Sequence, residues 1–543
     1  MKSSKPNLPF DPFAMAKSAS DYAMSLAMRP QDLMQVQMES AKEWGDFWIA
    51  ALSGKAGEAP RDRRFMAAAW QDDAYFRGVR DAYLLASKQL REMVSLQSGD
   101  EQKQATVRLL LDQYLNAISP ANFAFTNPDV VARTKETKGA NLVQGFAHLL
   151  EDIGAGKGIV KRRTDETVFV KGKTIAATPG SVVYQSDLFQ LIQYNPATEK
   201  VAAEPLLYVP PLVNRFYMID LTEKQSFVKW LVDEGRTVFV ISWVNPGSEL
   251  RDKGVEDYAL SIVEAVEEVT RRAKAAPDLF SFCLGGTLAA IALGWLAAKG
   301  RMKEVNSATL IGSMVDFADM RDWSAFVHEG HLGALEDHLE GQGYIDSVEL
   351  QRLFAAMRAN DLIWSSVINH YLLGKDAPPS DLLTWFEDGA RIPAAFLKGY
   401  NRDLLQDNRL KDPAGFMVRG TPIDLAKIKT PMLVIALMDD HVSAWEAVYS
   451  GARHLGADFV LGGSGHNAGV INPPSRNKHG FWTGPKQLPE DAEEWLAKAT
   501  RNEGSWWPWW TQWLTAHGSK TGVEARKPTQ PIEPAPGSYA MMD

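Results

Sequence analysis

A single cysteine, Cys283, stands in a chain of 543 residues, and its surroundings indicate what chemistry it could do. It lies within residues 278–298, DLFSFCLGGTLAAIALGWLAA, with Ser281 two positions before it and Gly285 two positions after. This is the pattern G-x-nucleophile-x-G with serine in the first glycine's place, and it predicts a sharp strand-to-helix turn presenting the thiol. A nucleophile needs a base, and the base needs a group to orient it. Met438-Asp439-Asp440-His441 follows a strand-like run at 431–437, and Gly462-Gly463-Ser464-Gly465-His466-Asn467 follows another at 458–461. Nucleophile, acid and histidine, each in a loop after a strand, is the chain order of an α/β-hydrolase. His466 is the expected base. Asp440 is the expected acid, with Asp439 beside it as the alternative carboxylate. The N–H of Leu284, and a second from the loop after 205–209 near Leu212 and Val213, are the expected oxyanion donors.

The choice of cysteine narrows the reaction. A free thiol titrates at about 8.5, so an adjacent histidine can generate thiolate near neutrality. Attack of a thiolate on a thioester exchanges one thioester for another at little energetic cost, which suits acyl transfer better than hydrolysis.

The elements that must position these groups follow from periodicity. Residues 279–298 carry no charge, a length near the roughly 20 residues of a transmembrane helix. However, the aromatic start, the Gly285-Gly286 break and the helix-forming remainder read as strand, turn and helix. Helical spacing predicts two amphipathic helices around Pro30 and further helices at 73–96 and 102–118. Period-two stretches at 167–177 and 181–194 predict an antiparallel edge joined across Pro179-Gly180. Strands at 205–209, 237–242, 279–282, 307–311, 431–437 and 458–461 alternate with helices, the rhythm of a parallel α/β sheet. The expected layout is a disordered N-terminus at 1–12, a helical domain at 13–160, and a catalytic domain at 161–515. A helical cap insertion at 313–429 and a disordered proline-containing tail at 516–543 complete it.

Composition excludes some classes. The chain is 45% hydrophobic and 23% charged with a formal net charge of -9, which fits a globular protein and gives no support for a nucleic-acid partner. One cysteine forbids an internal disulfide and fits a reducing compartment. His328-Glu329-Gly330-His331 with His338 lacks H-E-x-x-H spacing, so no metal site is expected. Seventeen tryptophans are many; the run Ser505-Trp506-Trp507-Pro508-Trp509-Trp510 with Trp513 is read as core or site wall rather than a membrane patch.

Beyond these residues the chain resembles the polyhydroxyalkanoate synthases of the class I type. The likeness covers about 60–515. Its landmarks are Ser119-Pro120-Ala121-Asn122-Phe123 with Thr126-Asn127-Pro128, and Val209-Pro210-Pro211 with Asn214-Arg215-Phe216-Tyr217 and Asp220-Leu221. Ser242-Trp243 with Asn245-Pro246, Asp440-His441 with Trp445, Ser464-Gly465-His466 with Ala468 through Pro474, and Gly504-Ser505-Trp506-Trp507-Pro508 continue the set. The resemblance implies an α/β-hydrolase domain, a mobile cap, and catalytic roles for Cys283, Asp440 and His466. It implies a cytoplasmic homodimer that polymerises (R)-3-hydroxyacyl-CoA, short-chain units such as 3-hydroxybutyryl-CoA included. Such an enzyme would work at a polyester granule alongside granule-associated proteins, with CoA as product and no cofactor. The alternatives are a cysteine-dependent acyl-CoA thioesterase or acyltransferase, and a non-enzymatic granule-binding protein. The chain departs from the family pattern at Ser281, at Leu212, where a cysteine is common, and at Trp385 through Pro393, which lacks the asparagines of W-N-x-D-x-T-N-x-P.

Overall fold

A computed structural model of the chain describes residues 20, 22, 24, 28–53, 62–96, 101–154, 167–327, 329–376 and 378–542. The expected disordered segment 1–12 and most of the first amphipathic helix lie outside the described residues. Two compact units emerge, one comprising Met1–Arg163, Asp322–Leu335 and Glu349–Pro379, the other Thr164–Arg321, Glu336–Val348 and Ser380–Asp543. Parts of the expected cap therefore group with the N-terminal helices. Their polar anchors give the reason: the Thr106 hydroxyl donates to the Ala325 carbonyl (3.2 Å), Gln113 Nε2 to Ala356 O (2.6 Å), and Asn141 Nδ2 to Leu372 O (2.8 Å).

The first unit is helical, with helices at Pro30–Ser53, Ala74–Ser95, Glu101–Ala117, Pro128–Glu136 and Ala140–Gly154. Their starts are set by side chains that satisfy the free first-turn amides. Asp73 accepts from the amides of Tyr75 and Phe76, and Asn127 from those of Asp129 and Val130. Phe65, Trp70, Tyr83 and Ala121 form its small buried cluster.

The second unit is built on an 11-stranded sheet. Its strands in chain order are β1 (Gly180–Gln185), β2 (Phe189–Tyr194), β3 (Leu206–Val209), β4 (Val238–Trp243), β5 (Asp278–Phe282), β6 (Ser307–Ile311), β7 (Met432–Leu437), β8 (Asp458–Gly462), β9 (Phe481–Thr483), β10 (Thr500–Asn502) and β11 (Glu533–Pro534). In space they run β10-β9-β8-β7-β6-β5-β3-β4-β2-β1-β11. The central run from β4 to β8 is parallel and the flanks are antiparallel. β3, first of the parallel strands in the chain, sits between β4 and β5, so the winding direction reverses beside it. Sheets of this kind hold their sites at the carboxyl ends of the strands at such a reversal. The architecture is that of an α/β-hydrolase, as expected.

Three expectations fail. The stretch 167–177 is not a strand but a turn, in which the Val170 carbonyl accepts from the amides of Lys173, Thr174 and Ile175. The stretch 181–194 folds on itself as the β1–β2 hairpin, because the Ser186 hydroxyl accepts from the amides of Leu188 and Phe189 and reverses the chain. The tail is ordered through 542: β11 pairs with β1, and the Ile532 and Ala535 amides donate to Val182 O and Gly180 O. Backbone pairing at a sheet edge needs no apolar composition, which is why a proline-containing polar tail could be ordered there.

The tryptophans pack inward. Trp506, Trp507 and Trp510 are at most 1% exposed, in the helix Trp507–His517 and at its N-cap. Their indoles surround Phe227 at centroid separations of 5.9, 4.4 and 5.5 Å. Each N–H finds an acceptor, Gly469 O, Val470 O and Thr309 Oγ1 respectively, as buried indoles require.

A tight backbone approach in the sheet's reversal zone lies where the helix Leu284–Ala298 meets the end of β3 and the loop after it. A Cβ added at Gly285 would sit 2.5 Å from Val209 O and 2.7 Å from Pro210 O, backbone atoms that cannot swing aside. Gly285→Ala should lower stability by about 1–3 kcal/mol through overpacking, measured as a reduced melting midpoint and denaturant midpoint. An unchanged midpoint would show that the loop yields freely.

Candidate active site

Cys283 adopts φ 52° and ψ -127°, a conformation a non-glycine residue holds only under constraint. The constraint is on both sides. The Cys283 amide donates to Ile311 O (3.0 Å), which ties the turn to β6, and its carbonyl accepts from the Gly286 amide (2.9 Å), which starts the helix. Ser281 stands in for the usual glycine at no loss of packing. Its hydroxyl donates to Thr309 O (3.1 Å), and the position facing it is Gly286, where even a Cβ would lie 2.0 Å from Ser313 Oγ.

The two downstream loops meet. His466 Nδ1 donates to Asp440 Oδ2 at 2.6 Å, with the carboxylate wholly buried. Asp440 Oδ1 accepts from the amides of Val442 (2.8 Å) and Ser443 (2.9 Å). These bonds single out Asp440 over Asp439, whose backbone amide instead ties the two loops by donating to Ser464 O (3.0 Å). His466 also packs against the elbow, its ring 4.7 Å from that of Phe282, the residue before Cys283. Burial works to lower the imidazole's pKa, but the charges of Asp440 and Cys283, with the hydrogen bond to Asp440, outweigh it and raise the value to about 10. The result favours an imidazolium between carboxylate and sulfur at neutral pH.

The two expected oxyanion amides lie at the start of the elbow helix and in the loop after β3, segments that approach each other where Gly285 meets Val209 O and Pro210 O. Leu284 opens its helix, so its N–H has no acceptor within the helix. The Val213 amide donates to no group among the described residues, while its carbonyl accepts from Ala390 N (3.3 Å). The segment that departs from the family pattern explains itself here. Trp385 Nε1 donates to Arg215 O (2.7 Å), Asn214 Nδ2 to Phe386 O (3.3 Å), and Asn214 forms a bridge with Gly389. Residues 385–390 therefore brace the loop after β3 largely through backbone groups, which tolerate changed side chains.

Two groups at the site have no signature in the sequence. Burial, then the charge of Cys283, pushes the Tyr400 hydroxyl pKa upward. Nothing in spacing distinguishes it among 14 tyrosines. Gly312, after β6, has φ +56°, and an added Cβ would lie 3.4 Å from both Asp440 Oδ2 and His466 Nδ1. A glycine directly after a core strand was its only available signal. Among the described residues no group of three or more His, Cys, Asp or Glu is arranged to hold a metal ion, and His328 lies outside them.

The geometry can be set beside known proteins. Residues 61–231 match the family model described as the poly-beta-hydroxybutyrate polymerase (PhaC) N-terminus. A poly(3-hydroxyalkanoate) polymerase of Methylorubrum extorquens is 38% identical, over 97% of this chain and 90% of that one. A poly(3-hydroxyalkanoate) polymerase subunit PhaC of Cupriavidus necator is 37% identical over 96% and 90%. Poly(3-hydroxyalkanoate) polymerase 2 of Ectopseudomonas oleovorans is 39% identical over 91% and 90%.

The raised His466 pKa makes a stability prediction. Because the folded value, about 10, lies above the unfolded value of about 6.5, protonation of His466 stabilises the fold fully below pH 6.5, and this is lost as pH rises through 10. Asp440→Asn removes a principal cause. The stability gap between the parent and Asp440→Asn, from urea titrations, should therefore narrow between pH 7 and pH 10. A gap constant across that range would exclude an imidazolium held by Asp440.

Proposed function

The chain belongs to the poly(3-hydroxyalkanoate) polymerase family, an enzyme that makes polyester from hydroxyacyl-CoA, and we propose that Cys283 carries the acyl chain as a covalent thioester. The observation that supports this most is the buried Asp440–His466 hydrogen bond (2.6 Å), with the His466 ring packed 4.7 Å from Phe282 beside Cys283, whose charge helps raise the imidazole pKa. His466 takes the thiol proton, and the thiolate attacks the thioester carbonyl of (R)-3-hydroxyacyl-CoA. The carbonyl oxygen becomes an oxyanion facing the amides of Leu284 and Val213. The C–S bond to CoA breaks, and the departing sulfur takes the proton from His466. The 3-hydroxyl of another acyl unit then attacks the Cys283 thioester while His466 accepts its proton. An ester forms, and the cysteine is freed. Asp440 acts on the imidazole rather than on the substrate hydroxyl, since both its oxygens are engaged by His466 and by the two amides.

Short-chain units such as 3-hydroxybutyryl-CoA are the proposed substrate, CoA is a product, and no cofactor takes part. We further propose that the enzyme is a cytoplasmic homodimer that works at the surface of its polyester with granule-associated proteins. No described helix is long and apolar enough to cross a membrane. In support of a surface-seeking unit, the helix Pro30–Ser53 exposes Met34, Met38, Trp48 and Leu52, and the helix Ala140–Gly154 exposes Val143, Phe146, Leu150 and Ile153. The helix Ala140–Gly154 is inverted: its buried face holds Asn141, His148 and Asp152.

The reading is tested by product analysis. Given (R)-3-hydroxybutyryl-CoA, the purified protein should release CoA and form polymer in step, faster than with the eight-carbon homologue. Cys283→Ala should lose both by at least about a thousandfold. CoA release accompanied by free hydroxy acid alone would make it a thioesterase, and polymer formation by Cys283→Ala would remove the covalent route.

A further inference from the structure

The loop after β3 is fastened from a side that the chemistry alone does not call for, by the end of the chain. Arg215, two residues beyond Val213, is 5% exposed. Its guanidinium donates to Tyr539 O (3.1 Å) and to Met542 O, and it stands 3.6 Å from Asp388 Oδ1. Lys171 joins the same carboxylate (2.9 Å) to Ala540 O (3.1 Å), and the Tyr217 hydroxyl donates to Asp388 Oδ2 (2.7 Å). The terminal carbonyls thus supply the hydrogen-bond acceptors of this buried guanidinium, whose Nε has only the Asp388 carboxylate at 3.6 Å.

The path of this segment is specified rather than incidental. The side-chain amide of Gln190, fully buried on β2, donates to Glu533 Oε1 (2.5 Å) and Ser538 Oγ (2.9 Å), and its oxygen accepts from the Tyr539 amide (3.1 Å). The Tyr539 hydroxyl reaches Ser186 O (2.8 Å). Gly537 turns with φ +82°, where an added Cβ would lie 2.5 Å from Gln190 Oε1 and 2.7 Å from Val182 Cγ2. Ala540 is 1% exposed within the main core. A tail that only closed the sheet edge would be served by the β11 pairing. It would not need a buried guanidinium bonded to its last carbonyls.

A buried charge stripped of its acceptors costs several kcal/mol, and the structure relaxes to avoid that state. Without residues 538–542, Arg215 would have to move toward water, taking with it the backbone that carries Val213. We propose that residues 538–542 form a strap that, through Arg215, sets the position of the Val213 amide, making Arg215 and the strap positioning elements for acyl transfer. The inference rests on the proposed oxyanion role of Val213 and the nucleophilic role of Cys283.

A probe that separates the two is iodoacetamide. Its reaction with a thiolate displaces iodide at a saturated carbon and forms no oxyanion, so it reads the Cys283–His466 pair but not the hole. In the full-length enzyme, truncation after Gly537 and, separately, Arg215→Gln should each lower kcat about tenfold or more, as loss or displacement of an oxyanion donor does. KM for (R)-3-hydroxybutyryl-CoA and the Cys283 alkylation rate should stay within about twofold, the KM–kcat split expected of a transition-state effect. Arg215→Lys, which keeps the charge but reaches fewer acceptors, should recover part of kcat, and it decides the matter if the truncated chain does not fold. Parent kcat in a folded truncation or in Arg215→Gln would overturn the strap, as would alkylation falling in parallel with kcat. If complete alkylation of Cys283 left polymerisation intact, the nucleophile assignment would fail instead.

Discussion

A carboxylate sealed from water against an imidazole is costly unless each of its oxygens is occupied, and much of the catalytic unit is arranged around meeting that condition for Asp440. One oxygen takes the amides of Val442 and Ser443, the other takes His466. The loops after β7 and β8 must therefore hold a common register. They do so through parallel pairing that runs to Leu437 opposite Gly462, and through backbone bonds from Met438 to Gly462 and from Asp439 to Ser464. Gly312, whose missing side chain leaves room beside both groups, and the indoles of Trp506 and Trp507, which hold the carbonyls of Gly469 and Val470, secure the histidine loop from opposite directions.

The nucleophile side obeys a different constraint, close packing. The elbow holds Cys283 at positive φ because the sheet and the helix approach so nearly that glycine is needed at 285 and 286. Serine is admitted at 281 because its hydroxyl has the Thr309 carbonyl to bond. The same closeness brings the loop after β3 against the first turn of the helix. The two proposed oxyanion amides thus come from segments that touch through backbone, where side-chain variation such as Leu212 has little leverage.

That the loops carrying Cys283, Asp440 and His466 would meet was legible from sequence because each follows a strand whose apolar run is plain, and strand order dictates where such loops come together. The sheet's central strands were legible for the same reason. The failures share a physical cause as well. The turn at Ser186 depends on one hydroxyl finding two amides, the order of the tail depends on an unpaired strand edge and on Gln190, and Tyr400 comes within reach of Cys283's charge across more than a hundred residues of chain. None of these leaves a periodic trace, and composition pointed the wrong way for the tail. Even the altered segment 385–393 was legible only as a departure; that it braces a loop through backbone groups required the fold.

The same constellation of nucleophile, histidine and acid serves hydrolases, so the triad alone cannot make a polymerase. On the proposed covalent route, the distinction lies in which hydroxyl reaches the Cys283 thioester. Water is small and abundant, and a site open to it would return free acid at every turn. The groups that bear on this choice are those the triad does not contain. Tyr400 is near enough to feel the charge of Cys283, and burial raises its hydroxyl pKa further. The loop after β3, braced by 385–390 on one flank and by the chain end through Arg215 on another, fixes the wall opposite. If Cys283 carries the chain as proposed, the selectivity of the reaction is in that sense a property of the packing around it.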